Sequence, residues 1–515
     1  MATHNLLVQV NYWYFFIAQF SYRIMRIIHT SDWHLGQYFY GKSRANEHQQ
    51  FLTWLLTQVG RHNIDAIIVA GDIFDTSTPP SYAREMYFDF IAKLHVLNCQ
   101  LIILAGNHDS VAMLAESKTV LASLSTRVIT QVIPTSIDEN ELCEASTKTN
   151  TDTNKAIAQQ VFPLVNAKGQ ASAIICAIPF VRPRDVIKSR AGQSAKDKQQ
   201  SLQQAISDHY QSLYQHAVAL GKKLVKEQCK DLGLAQGEQL PIIATGHLTA
   251  LGVSVTDSKS DSVRDIYIGS LEAFPASAFP PADYIALGHI HRAQKIAKSE
   301  HIRYCGSPIP LSFDEAKQDK RVLMVEFSSG KLNKVTEIIV PCFQPLYMVK
   351  TSVDALEASL KDTLIAFESR QVADELPASI KAWLDIEIDN SDHLSDLSQR
   401  VSELANDMPF EVLLVRRCKK ARQRRQAQLS QQDNSVLSEL SLNEVFDSRL
   451  SQFDWQTEEE IARKTRLTQL FTEISVELAC QQKQANLPAD KNTETVKIKE
   501  ADQGVKAKEV EQEKL

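Results

Sequence analysis

Five short apolar runs, each ending abruptly in Asp, Asn or His, constrain this chain more than any other feature of its sequence. Arg26-Ile27-Ile28-His29-Thr30 leads into Ser31-Asp32-Trp33-His34, and Ile64-Asp65-Ala66-Ile67-Ile68-Val69-Ala70 into Gly71-Asp72-Ile73-Phe74-Asp75. Leu101-Ile102-Ile103-Leu104-Ala105 leads into Gly106-Asn107-His108-Asp109, Pro241-Ile242-Ile243-Ala244-Thr245 into Gly246-His247, and Tyr284-Ile285-Ala286-Leu287 into Gly288-His289-Ile290-His291. The runs have the length and β-branched content of buried strands, and the glycines read as the turns that end them. In open sheets, ligands gather beyond the carboxyl ends of strands, where the loops emerge together. These endings supply carboxylates, an amide and imidazoles sufficient for a two-metal centre. Asn107 offers a neutral oxygen ligand, His108 a proton donor, and Asp109 a group to orient that histidine. Each motif alone has a plainer reading, Asp72 as a turn former and His34 or His247 as satisfied core histidines. The recurrence in order is what argues against it.

The 515 residues are enough for two or more domains. The formal net charge of −6 means that the chain as a whole does not advertise a polyanion partner, so any such contact rests on local patches. None of the eight cysteines forms a Cys-x-x-Cys pair, which argues against a zinc knuckle or redox motif and fits reduced thiols in a cytoplasmic protein. The aromatic stretch from Met1 to Ile24 lacks the basic start and small-residue cleavage site of a signal peptide and is too short and polar to span a bilayer. It reads as a poorly ordered leader ahead of an alternative start at Met25, with a membrane-surface anchor as the rival reading.

From Met25 to Pro341 strand, loop and helix alternate, which indicates an α/β domain. Phe51, Leu55 and Leu56 place a helix over 47–58, and Ala83, Tyr87, Phe90, Ile91 and Leu94 another over 81–96. The polar segment 146–156 reads as a surface loop, and 191–204 as a polar lead into a helix carrying Tyr210, Leu213 and Tyr214. Residues 344–418 read as a small α+β module of strand-helix-strand-helix-strand type. It runs into Arg416-Arg417-Cys418-Lys419-Lys420-Ala421-Arg422-Gln423-Arg424-Arg425, either a solvated helix face or a phosphate- or partner-contacting run. Leu442, Val445, Phe446, Leu450 and Phe453, then Leu467, Leu470, Phe471, Ile474 and Leu478, form two apolar stripes over 436–480. They fold back on their own domain or dock on another protein. The Lys/Glu-rich tail over 481–515 reads as disordered.

Asp32-x-His34, Gly71-Asp72-x-x-Asp75, Gly106-Asn107-His108-Asp109, Gly246-His247 and Gly288-His289-x-His291 resemble, in this order, the motifs of the calcineurin-like metallophosphoesterases. Longer words narrow the resemblance to the bacterial SbcD family. These are His29-Thr30-Ser31-Asp32-Trp33-His34-Leu35-Gly36, Ser77-Thr78-Pro79-Pro80-Ser81-Tyr82-Ala83 and Gly306-Ser307-Pro308-Ile309-Pro310-Leu311-Ser312-Phe313. The resemblance covers roughly Met25 to Phe471. It implies an α/β fold, a two-sheet sandwich flanked by helices, spanning 25–341, with 344–418 as a capping, DNA-contacting domain and C-terminal helices for partner docking.

It further implies that one metal takes Asp32, His34, Asp72 and His291, and the other Asp72, Asn107, His247 and His289. The shared ligand is then a carboxylate, and mixed nitrogen and oxygen donors suit two Mn²⁺ ions. His108 would face the phosphate with Asp109 holding its ring. Asp75 stands where archaeal and eukaryotic relatives have a phosphate-contacting histidine, so it is expected to orient His108 or a water instead. Arg182, Arg184 and Arg264 read as phosphate contacts or surface ion pairs. The implied activity is metal-dependent DNA hydrolysis, 3′-to-5′ exonuclease on duplex ends and endonuclease on single strands and hairpins. The implied partner is an SbcC-type ATPase, in a heterotetramer of two nuclease and two ATPase subunits. A phosphomonoesterase would not need the second module or the helix pair, and a non-catalytic scaffold would not need the full ligand set.

Overall fold

The structure is a computed structural model describing residues 24–133, 157–187, 194–232, 239–250, 273–389, 397–417, 446, 450 and 463–471. The leader, the 146–156 loop, Arg264, the basic run from Cys418, most of the helix pair and the tail lie outside the described residues. The chain divides into two compact units, Met1–Arg422 and Gln423–Leu515.

In the first unit the strands β1 (Met25–Thr30), β2 (Tyr38–Phe39), β3 (Lys42–Ser43), β4 (Ala66–Ala70), β5 (Gln100–Leu104), β6 (Thr126–Ile129), β7 (Val161–Val165), β8 (Ala171–Cys176), β9 (Ile242–His247), β10 (Tyr284–Gly288), β11 (Gln294–Lys295), β12 (Ile302–Tyr304), β13 (Arg321–Ser328) and β14 (Lys331–Ile339) precede a third group near residue 346. They build two six-stranded sheets, ordered β14-β13-β1-β4-β5-β6 and β11-β12-β10-β9-β8-β7, and β2 and β3 form a small hairpin. β1, β4, β5 and β6 run parallel, as do β8, β9, β10 and β12.

The continuous apolar runs follow from burial on both faces of each sheet. Ile27, Ile68, Ile102 and Leu104 meet Ile175, Ile243 and Ala286 of the other sheet in a core between the two. Their neighbours Ile28, Ile67, Val69, Leu101 and Ile103 point the opposite way, onto Phe51, Leu55, Phe90 and Leu94 of helices α1 (Ala45–His62) and α2 (Ser81–Val96). The far face of the second sheet, with Ile174, Ile242 and Ile285, packs on Leu202, Ile206, Tyr210 and Leu213 of helix α3 (Ala195–Leu232). Each fully buried aliphatic side chain of this kind contributes about 1.5–3 kcal/mol. The arrangement is the two-sheet sandwich flanked by helices that the sequence resemblance implied. The polar segment before Tyr210 is not a lead-in, however. From Ala195 on it belongs to α3, and Leu202 and Ile206 already fall on that helix's buried face.

Leu346–Ser352 (β15), helix α4 (Leu356–Ala373), Ala382–Asp389 (β16), helix α5 (Leu397–Ala405) and Phe410–Arg417 (β17) form a parallel sheet of order β15-β16-β17. Phe39, Phe313 and Ala316 of the sandwich pack against Leu346 and Trp383 of this module, with Phe39 stacked on Trp383 at 5.7 Å between ring centroids. Lys42 pairs with Glu411 across the same boundary. In the second unit, 463–471 is helical, and the rings of Phe446 and Phe471 stack. Among the described residues no helix is long and apolar enough to cross a membrane.

Candidate metal centre

The carboxyl ends of β1, β4 and β5 lie side by side in one sheet, and those of β9 and β10 in the other. Beyond their strands the β1 and β4 loops continue to pair. The N–H of Asp32 donates to the Gly71 carbonyl at 3.0 Å, His34 to Asp72 at 3.1 Å and Leu35 to Ile73 at 2.9 Å. Asp32, His34, Asp72 and His289 all hold left-handed backbone, with φ of 54°, 48°, 51° and 93°. Such strain costs on the order of 1–3 kcal/mol per residue and persists where the surrounding fold over-determines a functional geometry. Glycine is required beside these residues. Gly71 has φ +96°, and a Cβ there would stand 2.1 Å from His247 Nδ1; one on Gly106 would stand 2.1 Å from Asp72 Oδ1.

Two groups of donors converge. Asp32, His34 and His291 form one and Asp72, His247 and His289 the other, with the donor atoms of each group within 4.8 Å of one another. Asn107 joins the second, its Oδ1 lying 2.9 Å from His247 Nε2 and 3.0 Å from His289 Nδ1. Asp72 links the two. Its Oδ2 is 3.2 Å from His247 Nε2 and 3.7 Å from His34 Nε2, while its Oδ1 accepts the His108 N–H at 2.9 Å.

Tautomers are set from behind. His247 Nδ1–H donates to the Ala70 carbonyl at 2.8 Å and His34 Nδ1–H to Asp75 Oδ1 at 3.2 Å, which leaves each Nε2 as a lone pair facing the cluster. His247 Nε2 and Asn107 Oδ1 are then two acceptors in contact, an arrangement that needs a proton or a cation between them. His34 Nε2 is buried without a hydrogen-bond partner. An orphaned nitrogen, facing acceptors and buried carboxylates together fit a pair of divalent cations of the kind that takes mixed nitrogen and oxygen ligands.

Electrostatics points the same way. Burial alone would depress the His34 ring, but its bond to Asp75 and the charges of Asp72, Asp75 and Asp32 push it up to about 9. At His247 burial is likewise outweighed, by the charge and hydrogen bond of Asp72, and the ring again rises to about 9. Burial would raise Asp72, yet His247 and His34 hold it well below the usual carboxylate range. Burial and the neighbouring His247 pull His289 down to about 4. A histidine raised from about 6.5 to about 9 stabilises the metal-free fold fully below pH ~6.5, and that contribution is lost as pH rises through ~9. A cation entering the cluster must displace those protons. Calorimetric Mn²⁺ titration in buffers of different protonation heat is therefore expected to show about two protons released per chain near pH 7, and only a small fraction of that release well above pH ~10. Affinity that is flat over this range would contradict the assignment of charge.

His108 lies outside both donor groups. Its ring stands edge-on to His34 at 4.9 Å, and its Nδ1–H donates to the backbone carbonyl of Asp75 at 2.9 Å. Two sequence expectations need correction here. Asp109 does not hold the His108 ring; its buried carboxylate accepts the backbone N–H groups of Ile73, Phe74 and Gly106 at 3.1, 3.0 and 2.8 Å and so ties the β4 and β5 loops together. Asp75 does orient His108, but through its carbonyl, while its carboxylate is given to His34. Arg182 donates to the Asp109 carbonyl at 3.5 Å and lies over the Phe180 ring. Arg184 is largely exposed and pairs loosely with Asp185. Sequence reasoning missed Ser31, whose hydroxyl donates to Asp32 at 2.5 Å, and Glu315, 3.4 Å from His291 Nδ1. Ser31 lies within a motif word but at none of its expected ligand positions, and Glu315 lies just past the end of the last word.

The calcineurin-like phosphoesterase family model matches residues 25–293, and the model described as the type 5 capsule protein repressor C-terminal domain (SbcD_C) matches 342–453. The chain is 47% identical over 448 residues to the SbcD subunit of the nuclease SbcCD from Escherichia coli (strain K12), covering 87% of this chain and 97% of that protein. It is 29% identical to the protein of the same description from Rhodobacter capsulatus, over 68% of this chain and 77% of the relative. The figures for the Bacillus subtilis (strain 168) protein so described are 28%, 72% and 81%.

Proposed function

This chain belongs to the SbcD family of calcineurin-like metallophosphoesterases, and from that premise we propose that it is the nuclease subunit of an ATP-dependent DNA-processing complex. It is a metal-dependent phosphodiester hydrolase with a centre for two divalent metals. The ligand set is Asp32, His34, Asp72 and His291 for one ion and Asp72, Asn107, His247 and His289 for the other, with Mn²⁺ as the metal. The single observation that carries this reading is Asp72 Oδ2, which lies between His34 Nε2 and His247 Nε2 and so within reach of both donor groups.

Bound there, two divalent cations supply Lewis acidity toward phosphate oxygens and a lowered pKa for water. The chain's own residues do the rest. Ala70, Asp75 and Asn107 hold the imidazoles in register. His108, outside the ligand set and with Nδ1–H held by the Asp75 carbonyl, would present Nε2 to the phosphate and, as the imidazolium, give its Nε2 proton to the leaving oxygen, ending as the neutral Nδ1–H ring. Asp109 keeps the loops of Asp72 and Asn107 at fixed separation.

The substrates are duplex ends, cut 3′-to-5′, and single strands and hairpins, cut internally. The β15-β16-β17 module caps the site and reads backbone shape and phosphates rather than base edges. The partner is an SbcC-type ATPase, docked on the helices over 436–480, in a heterotetramer of two copies of each subunit. Free thiols at Cys99, Cys176, Cys305 and Cys342 support a cytoplasmic setting.

The test uses purified chain with Mn²⁺, alone and with the ATPase and ATP. Alone, it is expected to hydrolyse bis-p-nitrophenyl phosphate and leave the monoester untouched. With the ATPase it should degrade linear duplexes and open hairpins, and a chain ending after Arg425 should keep the diesterase and lose this activity. Preference for the monoester would make the chain a phosphatase.

A further inference from the structure

His291 Nδ1 faces a buried ion pair outside every motif. Glu315 is almost wholly buried in the short 3₁₀ turn Phe313–Glu315. Its Oε1 lies 3.4 Å from His291 Nδ1. Its Oε2 accepts from Lys320 Nζ at 2.5 Å, from the Leu311 N–H at 3.1 Å and from the Ser307 hydroxyl at 3.3 Å. Lys320, itself buried, also donates to the His291 carbonyl at 3.1 Å and to Ser307 Oγ at 2.9 Å. One cluster thus faces the ring of His291 and holds its backbone. An isolated carboxylate at this depth would be costly, and Lys320 makes it tolerable by pairing with it. A carboxylate behind a ligating imidazole fixes its tautomer and ring plane. The same turn faces the capping module through Phe313, which packs with Phe39 and Trp383.

We propose that Glu315 is a positioning residue for the metal centre, holding Nδ1–H of His291 so that Nε2 is left for the ion shared with Asp32 and His34, with Lys320 as its fixed counter-charge. This rests on the ligand assignment made above for His291.

The charge is removed in pairs, so that no buried ion is left alone. Glu315→Leu with Lys320→Met loses the acceptor for His291, whereas Glu315→Gln with Lys320→Met keeps an oxygen there. Mn²⁺ titration of the full chain is expected to show one ion weakened about 10–100-fold in the Leu/Met variant and the other unchanged, with the Gln/Met variant near wild type. Equal binding in the Leu/Met variant and wild type, or equal loss of both ions, would overturn the proposal. A wild-type measurement guards against variants that do not fold. In histidine-labelled chain loaded with Zn²⁺, the nitrogen-15 spectrum should show His291 protonated at Nδ1, and an unprotonated Nδ1 would overturn the proposal. His291→Ala separates the two levels. If that variant keeps both ions, the ligand assignment itself falls; if it loses one while the Leu/Met variant loses none, only the role of Glu315 falls.

Discussion

Asp72→Asn is expected to empty both metal positions, whereas Asn107→Ala weakens only one. The reason lies in how the two oxygens of Asp72 are used. Oδ1 accepts the buried N–H of His108, and Oδ2 stands between His34 and His247. An asparagine must keep its carbonyl oxygen toward the His108 N–H, since a buried donor left unpaired costs about 1–3 kcal/mol. Its NH₂ then occupies the place of Oδ2, and an amide nitrogen neither ligates a cation nor supplies negative charge. Both donor groups lose their shared member in one substitution. Among the described residues the Asn107 side chain reaches His247 and His289, both in one donor group. Elemental analysis after Mn²⁺ loading and gel filtration separates the cases, and equal single-ion losses from both variants would contradict the shared role of Asp72.

His108→Ala is expected to retain both ions and lose cleavage by about 10²–10⁴-fold, the range for removal of a positioned general acid. The ring touches the cluster only edge-on at His34, and its anchor is a backbone carbonyl rather than a ligand side chain. Removing it therefore leaves every donor of both groups in place. Leaving-group dependence sharpens the test. A diester with a nitrophenolate leaving group needs little protonation, so the loss should be smaller there than on DNA. A variant that binds one ion would make His108 a ligand instead.

The strand ends were legible in the sequence because these strands are buried on both faces. That burial turns each into an uninterrupted apolar run, and the polar residue that breaks the run marks the site. Other features left no such mark. β14 is an edge strand whose charged residues face solvent, so Lys331–Ile339 does not read as a strand, although Ser329 and Gly330 adopt the paired positive φ of a tight hairpin turn. α1 runs past its apolar stripe to His62 and ends where Asn63 takes the left-handed C-cap conformation. Within the site, the partners of Asp109 lie 35 and 36 residues away on another loop, and those of Glu315 include a ligand on β10's loop. Asp75 is marked by its position in a motif, but its carboxylate and its carbonyl serve different histidines. Contacts of this kind depend on how loops from two sheets meet, and no local periodicity encodes them.

Everything proposed for this site turns on a single carboxylate shared by two cations at the meeting point of five strand ends. Electron paramagnetic resonance of the wild-type chain titrated with Mn²⁺ tests it most directly, since two ions bridged by Asp72 couple their spins. Saturation is expected at two Mn²⁺ per chain, with the coupled signal growing as the second ion binds. Saturation at one ion, or two ions giving only uncoupled six-line spectra, would contradict the shared carboxylate.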